Sequence, residues 1–322
     1  VNEFELIERF FTRPARESSV RLSVGDDAAL LAPSPGCEIA VSVDMLVSGR
    51  HFYADTDPEK LGHKTLAVNL SDMAAMGATP RWAFLAGALP ENDAEWLAAF
   101  ARGFNALADA YAVDLVGGDT TRGPLALCVT IIGEVPAGTA LLRSGAQAGD
   151  DVYVSGTLGD AALALAAMNG RVTLDTDALD SARAKLETPT PRIALGQALR
   201  GVASSALDVS DGLAGDLSHI LERSAVGATL ELPAIPRSPS LAQLVDSAHR
   251  ALAIECLLAG GDDYELCFTA PPAAAASVAS IAQSLGVPLA RVGRISAGSS
   301  LVVRDEHGVA LSEIPRAYDH FA

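Results

Sequence analysis

The sequence predicts an α/β (α+β) protein built from two domains. Three observations carry this: a length of 322 residues, beyond what a single core usually serves; strand-like runs interleaved with two long helices over residues 1–135; and a small, turn-rich stretch, 136–150, after which the alternation starts again and continues through 151–322. The first domain is expected to be a sheet with helices on one face, residues 136–150 a linker, and the rest a second α/β domain.

Taken in order, Phe4, Ile7, Phe10 and Phe11 stand at helical spacing, which predicts a short amphipathic helix over Glu3–Thr12. Two β-like runs follow, Asp27–Leu31 and Ile39–Val43, parted by the turn Pro33-Ser-Pro-Gly36. Asp57 before Pro58 is an N-cap followed by proline at the first helical position, and the helix it opens is expected to reach about Gly77. Trp82–Leu89 reads as a strand, Asn92 as the cap of a second helix ending near Tyr111, and Val113–Val116 and Leu125–Val135 as further strands. Asp151–Ser155 opens the second domain as a strand.

Composition excludes several classes of function. The net charge of −17 opposes a nucleic-acid partner, which needs a basic face, and equally an anionic membrane surface. No apolar run attains the ~18 residues of a membrane span, and no basic segment leads into an apolar one at the N-terminus. Cys37, Cys128, Cys256 and Cys267 form no CxxC or Cys/His cluster, so they read as buried small hydrophobes in a cytoplasmic, reducing compartment.

Where the acids fall is more telling than their number. Asp27, Asp44, Asp72, Asp119, Asp208 and Asp211 lie beside apolar strands or inside a small-residue helix, not among lysines on a solvated face. Ile39-Ala-Val-Ser-Val43 running straight into Asp44 is expected to aim that carboxylate at a sheet edge. Asp72 has Ala, Met and Leu for neighbours. Each acid alone could be a cap or turn residue, the common use of Asp beside Gly. Together they imply bound cations, because two carboxylates about 5 Å apart repel by roughly 3 kcal/mol at an effective dielectric of about 20. Hard oxygen donors select Mg²⁺, Ca²⁺ or Mn²⁺.

Two glycine-bearing segments bear on a nucleotide site. Gly62-His-Lys-Thr65 is no phosphate loop, since His63 parts the Gly from the Lys inside a predicted helix. Gly117-Gly-Asp-Thr120 fits better: paired glycines after a buried strand let backbone N–H groups approach a phosphate, and Asp119 can hold a bridging metal. Arg143 offers a fork for phosphate oxygens.

The ordered segments Val24-Gly-Asp-Asp-Ala28, Val43-Asp-Met-Leu46, His51-Phe52, Leu66–Ala78, Gly117-Gly-Asp-Thr120, Asp208-Val-Ser-Asp-Gly212 and Gly260-Gly-Asp-Asp-Tyr-Glu-Leu266 resemble the thiamine-monophosphate kinase family, over about residues 3 to 322. The fold is shared with the wider superfamily typified by aminoimidazole ribonucleotide synthetase. The resemblance implies phosphorylation of thiamine monophosphate by ATP, several Mg²⁺ ions, and N-terminal sheets joined across a homodimer as its core. It further implies magnesium positions at Asp27, Ser42, Asp44, Asp72, Asp119, Asp208 and Asp211, with Asp44, Asp72 and Asp119 acting catalytically through the metal. ATP contacts are implied at Gly118, Asp119, Arg143 and Ser210, and substrate contacts at His51, Asp262 and Tyr318. At Asp262 the family usually has glutamate, so this chain brings a shorter arm. The alternatives are another ATP-using enzyme of the same superfamily, or a non-catalytic thiamine-phosphate or divalent-cation binding protein.

Overall fold

In the computed structural model, residues 3–16 and 18–317 are described. The chain divides into two units: residues up to Met73 with Ala78–Gly138, and Ala74–Gly77 with the chain from Thr139 on.

The first unit opens with helix α1 (Glu3–Leu6), which widens into a π turn over Ile7–Phe11. β1 (Val20–Leu22) pairs antiparallel with β2 (Leu30–Leu31). Then come β3 (Cys37–Val47), α2 (Pro58–Ala75), β4 (Thr79–Leu89), α3 (Ala94–Ala110), β5 (Asp114–Arg122) and β6 (Ala126–Pro136). The four long strands form one sheet in the order β3-β6-β4-β5, with β4 and β5 parallel and the other pairs antiparallel. Asp57 caps α2 as the sequence indicates, its Oδ1 accepting the N–H groups of Glu59 and Lys60 at 2.9 and 3.1 Å. Both long helices are held close by glycine: a Cβ on Gly62 would stand 2.0 Å from Phe100 O, and one on Gly103 1.8 Å from Glu59 O. That packing role is why Gly62-His-Lys-Thr65 carries a glycine at all. Leu66, Leu70 and Met73 of α2 are buried, as are Trp82, Val129 and Ile131 of the sheet; each such side chain contributes about 1.5–3 kcal/mol.

Several sequence expectations are corrected. The α3 cap is Asp93, whose Oδ1 accepts from Glu95 and Trp96, and not Asn92. The strand expected over Asp27–Leu31 is reduced to Leu30–Leu31. β3 spans eleven residues in unbroken register with β6, so Asp44 lies within the strand and not beyond its end. β5 continues past Val116 to Arg122 because it pairs with β4 throughout, so Gly117–Thr120 is strand and not loop.

The second unit holds β7 (Asp151–Ser155), α4 (Asp160–Met168), α5 (Thr176–Glu187), α6 (Ile193–Leu199), β8 (Ser205–Val209), α7 (Leu213–Ser224), β9 (Gly227–Glu231), α8 (Pro239–Val245), α9 (Arg250–Ala259), β10 (Glu265–Ala270), α10 (Ala275–Leu285), β11 (Leu289–Ser296) and β12 (Leu301–Arg304). Its sheet runs β12-β9-β11-β7-β10-β8, with only β12 and β9 parallel among these pairs. The core lies between that sheet (Val154, Leu207, Leu230) and helices α4, α7 and α9 (Leu163, Leu217, Leu257).

Candidate functional site

In the first unit, Ser42 and Asp44 are two residues apart on β3 and so share a face. Asn69 and Asp72 are three apart on α2 and likewise share one. The two faces meet. Ser42 Oγ donates a short hydrogen bond to Asp72, and Asp44 N–H donates to Asn69 Oδ1 at 3.2 Å. From Lys64 to Ala75 every residue is buried except Asp72, which is partly exposed.

The turn after β3 places His51. Its Nδ1 accepts the Val47 N–H at 3.0 Å, so the ring proton resides on Nε2. Lys64, buried on α2, donates to His51 O at 3.5 Å and holds this turn from below.

Gly117 and Gly118 owe their identity to packing. A Cβ at Gly118 would lie 1.9 Å from Leu85 O, and one at Gly117 2.8 Å from the Phe84 ring. The two glycines nonetheless line a cavity of about 740 Å³, together with Asp26 and Asp27 of the N-terminal segment and Trp96 and Phe100 of α3. The Trp96 and Phe100 rings stack at 5.3 Å between centroids and give this cavity an aromatic wall. Its size suits a small organic ligand, for which about 300–1,000 Å³ is usual. Asp27 and Asp119 are exposed.

In the second unit, Asp208 is a buried residue of β8, and the chain turns at Ser210-Asp-Gly212 into α7. Ser210 and Asp211 are partly exposed. Asp216, buried in the first turn of α7, accepts the N–H groups of Ser210, Asp211 and Gly212 on one oxygen, each at 3.0 Å. Burial pushes its carboxyl up to about 7, against the pull of those amides. Asp262 takes φ +66°, and Tyr264 takes φ +50°, a rare conformation for so bulky a residue. The turn is tied down at each end: Asp262 N–H to Ser210 O and Tyr264 N–H to Val209 O, both 2.8 Å, with the Tyr264 phenol donating to Asp262 Oδ1 at 2.9 Å. Between them Asp263 accepts the Gly159 N–H on both oxygens, at 2.9 and 3.0 Å. Burial raises the Asp263 carboxyl well above the usual carboxylate range. Arg143 is exposed. Tyr318 lies outside the described residues.

The sequence-chosen residues therefore fall into two sets. Asp27, Ser42, Asp44, His51, Asp72, Gly118 and Asp119 belong to the first unit, and Arg143, Asp208, Ser210, Asp211 and Asp262 to the second. Among the described residues no three acids, histidines or cysteines gather at a single point. Sequence reasoning passed over Asn69, Lys64, Asp216 and Asp263. Asn69 and Asp216 sit in apolar helical stretches, where a polar residue is itself the signal.

Residues 25–135 match the AIR synthase related protein N-terminal domain, and residues 147–306 the C-terminal domain of the same description. The thiamine-monophosphate kinase of Salmonella typhimurium is 46% identical over 324 residues, covering 99% of this chain and 98% of the relative. The chain belongs to the thiamine-monophosphate kinase family. A solved thiamine-monophosphate kinase from Stenotrophomonas maltophilia K279a is 47% identical, covers 97% of this chain and 98% of its own, and superposes with a TM-score of 0.87. AaThiL complexed with AMPPCP and TMP is 27% identical with a TM-score of 0.78, covering 90% and 89% of the two chains. To the thiamine-monophosphate kinase family this chain brings oxygen donors in both units and an aromatic-walled cavity beside paired glycines.

Proposed function

We propose that this chain is an ATP-dependent kinase that converts thiamine monophosphate to thiamine diphosphate by direct in-line transfer, using several Mg²⁺ ions and acting as a cytoplasmic homodimer. The observation that carries the reading is identity of 46–47% with thiamine-monophosphate kinases over nearly the whole of both chains. A related kinase holds AMPPCP and TMP together.

The nucleophile is a phosphate oxygen of the substrate, whose second pKa is about 6, so it is anionic at neutral pH and needs no general base. The obstacle is repulsion between two polyanions. Mg²⁺, when bound, supplies the opposing charge. The donors fit such an ion, being hard oxygens throughout: Asp27, Ser42, Asp44, Asp72 and Asp119 in the first unit, Asp208 and Asp211 in the second. Three of them are tied to one another's elements, Ser42 hydrogen-bonded to Asp72 and the Asp44 amide to Asn69. Gly117 and Gly118 line the cavity, which we assign to the nucleotide; the resemblance adds Arg143 and Ser210 as ATP contacts. His51 would offer its Nε2–H to the substrate, and Asp262 and Tyr318 would contact its thiamine end.

The homodimer reading rests on β3. Ile39, Val41, Val43 and Met45 alternate along this edge strand and are 42–58% exposed, an apolar stripe that a second copy would cover. Four unpaired cysteines suit a reducing compartment, and no helix among the described residues is long and apolar enough to cross a membrane.

Mass detection of thiamine diphosphate after incubation with ATP, Mg²⁺ and thiamine monophosphate tests the reading; equal turnover of free thiamine would overturn it. Asp72→Asn and Asp44→Asn keep shape and lose charge, so activity should fall by orders of magnitude with the fold intact. Near-normal activity at low Mg²⁺ in both variants would make these carboxylates structural.

A further inference from the structure

The loop that carries Ser210 and Asp211 has no regular structure of its own, yet it is curled around a single atom. Three consecutive amides, from Ser210, Asp211 and Gly212, point at Asp216 Oδ2, each 3.0 Å away. Asp216 in turn donates its own N–H to Gly212 O at 2.9 Å, which locks the loop to the first turn of α7. Gly212 has φ +114°, and a Cβ there would stand 2.6 Å from the Ala259 carbonyl carbon, so the loop packs tightly against the end of α9. The opposite side of the loop supports the strained turn: Ser210 O accepts from Asp262 and Val209 O from Tyr264. One buried carboxylate thus underlies both the loop bearing Asp211 and the turn bearing Asp262. A helix cap would need one or two of these bonds. Three amides collected on one oxygen set the curvature of the whole loop.

We propose that Asp216 is a positioning residue, one that shapes the Ser210–Gly212 loop so that Asp208 and Asp211 can bind metal and the Asp262 turn can bind thiamine monophosphate. This rests on the reading that Asp208 and Asp211 are metal ligands, and it goes beyond that reading by assigning a residue that itself touches neither metal nor substrate.

The test compares Asp216→Ala, Asp216→Asn and Asp211→Asn in the full chain. Mn²⁺ binding is followed by electron paramagnetic resonance in the presence of a non-hydrolysable ATP analogue, so no turnover is involved. KM for thiamine monophosphate and melting temperature are measured beside it. Partners that orient metal ligands are worth about 10–100-fold in affinity, so Asp216→Ala should weaken Mn²⁺ by at least ~10-fold and raise the KM for thiamine monophosphate as well. Asp216→Asn keeps an acceptor oxygen of the same reach and should recover most of both losses. It also serves as the readable variant should the alanine form fail to fold, since even this milder change should still weaken Mn²⁺ measurably. If both folded variants lose only melting temperature, with Mn²⁺ affinity and KM at wild-type values while Asp211→Asn abolishes a bound Mn²⁺, Asp216 is a helix cap and the proposal fails alone. If Asp211→Asn leaves Mn²⁺ binding untouched, the metal assignment fails and the proposal falls with it.

Discussion

Replacing Asp262 separates binding chemistry from backbone strain, because the two penalties attach to different substitutions. At φ +66° asparagine is nearly as well accommodated as aspartate, and its side-chain oxygen can still accept from the Tyr264 phenol. Asp262→Asn therefore removes a charge and little else. If that charge meets the substrate, the loss is one charge-assisted hydrogen bond, about 1.5–3 kcal/mol, or roughly 10- to 150-fold in kcat/KM, expressed as a higher KM for thiamine monophosphate. The KM for ATP should hardly move, since the nucleotide is assigned to other residues.

Alanine at the same position adds two structural costs. A Cβ residue without a local polar group pays about 1–2 kcal/mol in the left-handed region, and the buried Tyr264 phenol loses a partner worth about 1 kcal/mol. Asp262→Gly removes the first cost and keeps the second. Alanine and glycine variants should then share the same KM defect while the glycine form melts several degrees higher. Steady-state kinetics for both substrates, with calorimetry on the same preparations, reads all of this. If Asp262→Asn leaves both KM values at wild type and the three variants differ only in melting temperature, Asp262 is a turn residue and leaves the site.

Gly118→Ala would set a methyl 1.9 Å from Leu85 O and force β5 from β4, so stability should drop and the KM for ATP rise, whereas an unchanged KM in a folded variant would separate the cavity from the nucleotide. Val43→Asp, on the exposed stripe of β3, should shift the chain to monomer in analytical ultracentrifugation; a wild-type chain that is already monomeric removes the dimer reading. Asp263 has its carboxyl raised by burial, so it holds a proton in the folded chain at pH values where the unfolded chain has released it. The stability it contributes is present at acid pH and lost as pH climbs above the ordinary carboxylate range. Asp263→Asn, which keeps an acceptor for Gly159 N–H, should flatten that decline in melting temperature, and parallel curves for the two proteins would refute the shift.

Local signals were legible where one residue decides the outcome. Asp57 followed by Pro58 fixed the start of α2, and Asp72 among Ala, Met and Leu announced a carboxylate that no solvated face explains. Strand limits were not legible, because they depend on a partner far along the chain. β3 reaches Val47 because β6 offers eleven residues in register, and β5 absorbs Gly117–Thr120 because β4 runs beside it. The same non-local cause changes the meaning of Gly118: the sequence suggests room for a phosphate, and the structure shows room for Leu85 O first. Asp93 rather than Asn92 capping α3 is a smaller case, in which two adjacent good caps are separated only by where the helix axis begins.

The acids of this chain sort by what answers their charge. Asp216 and Asp263 are answered by backbone amides, three for the first and one shared across both oxygens for the second, and burial raises both carboxyls. An acid satisfied in that way shapes the chain and has little left to offer a cation. Asp27, Asp72, Asp119 and Asp211 are exposed or partly exposed. Asp72 follows a helix pinned through Gly62 and Gly103, and Asp211 a loop gathered on Asp216. On the metal reading proposed above, a net charge of −17 is compatible with handling two phosphorylated substrates: Asp216 and Asp263 build the frame, and cations would answer acids such as Asp72, Asp208 and Asp211.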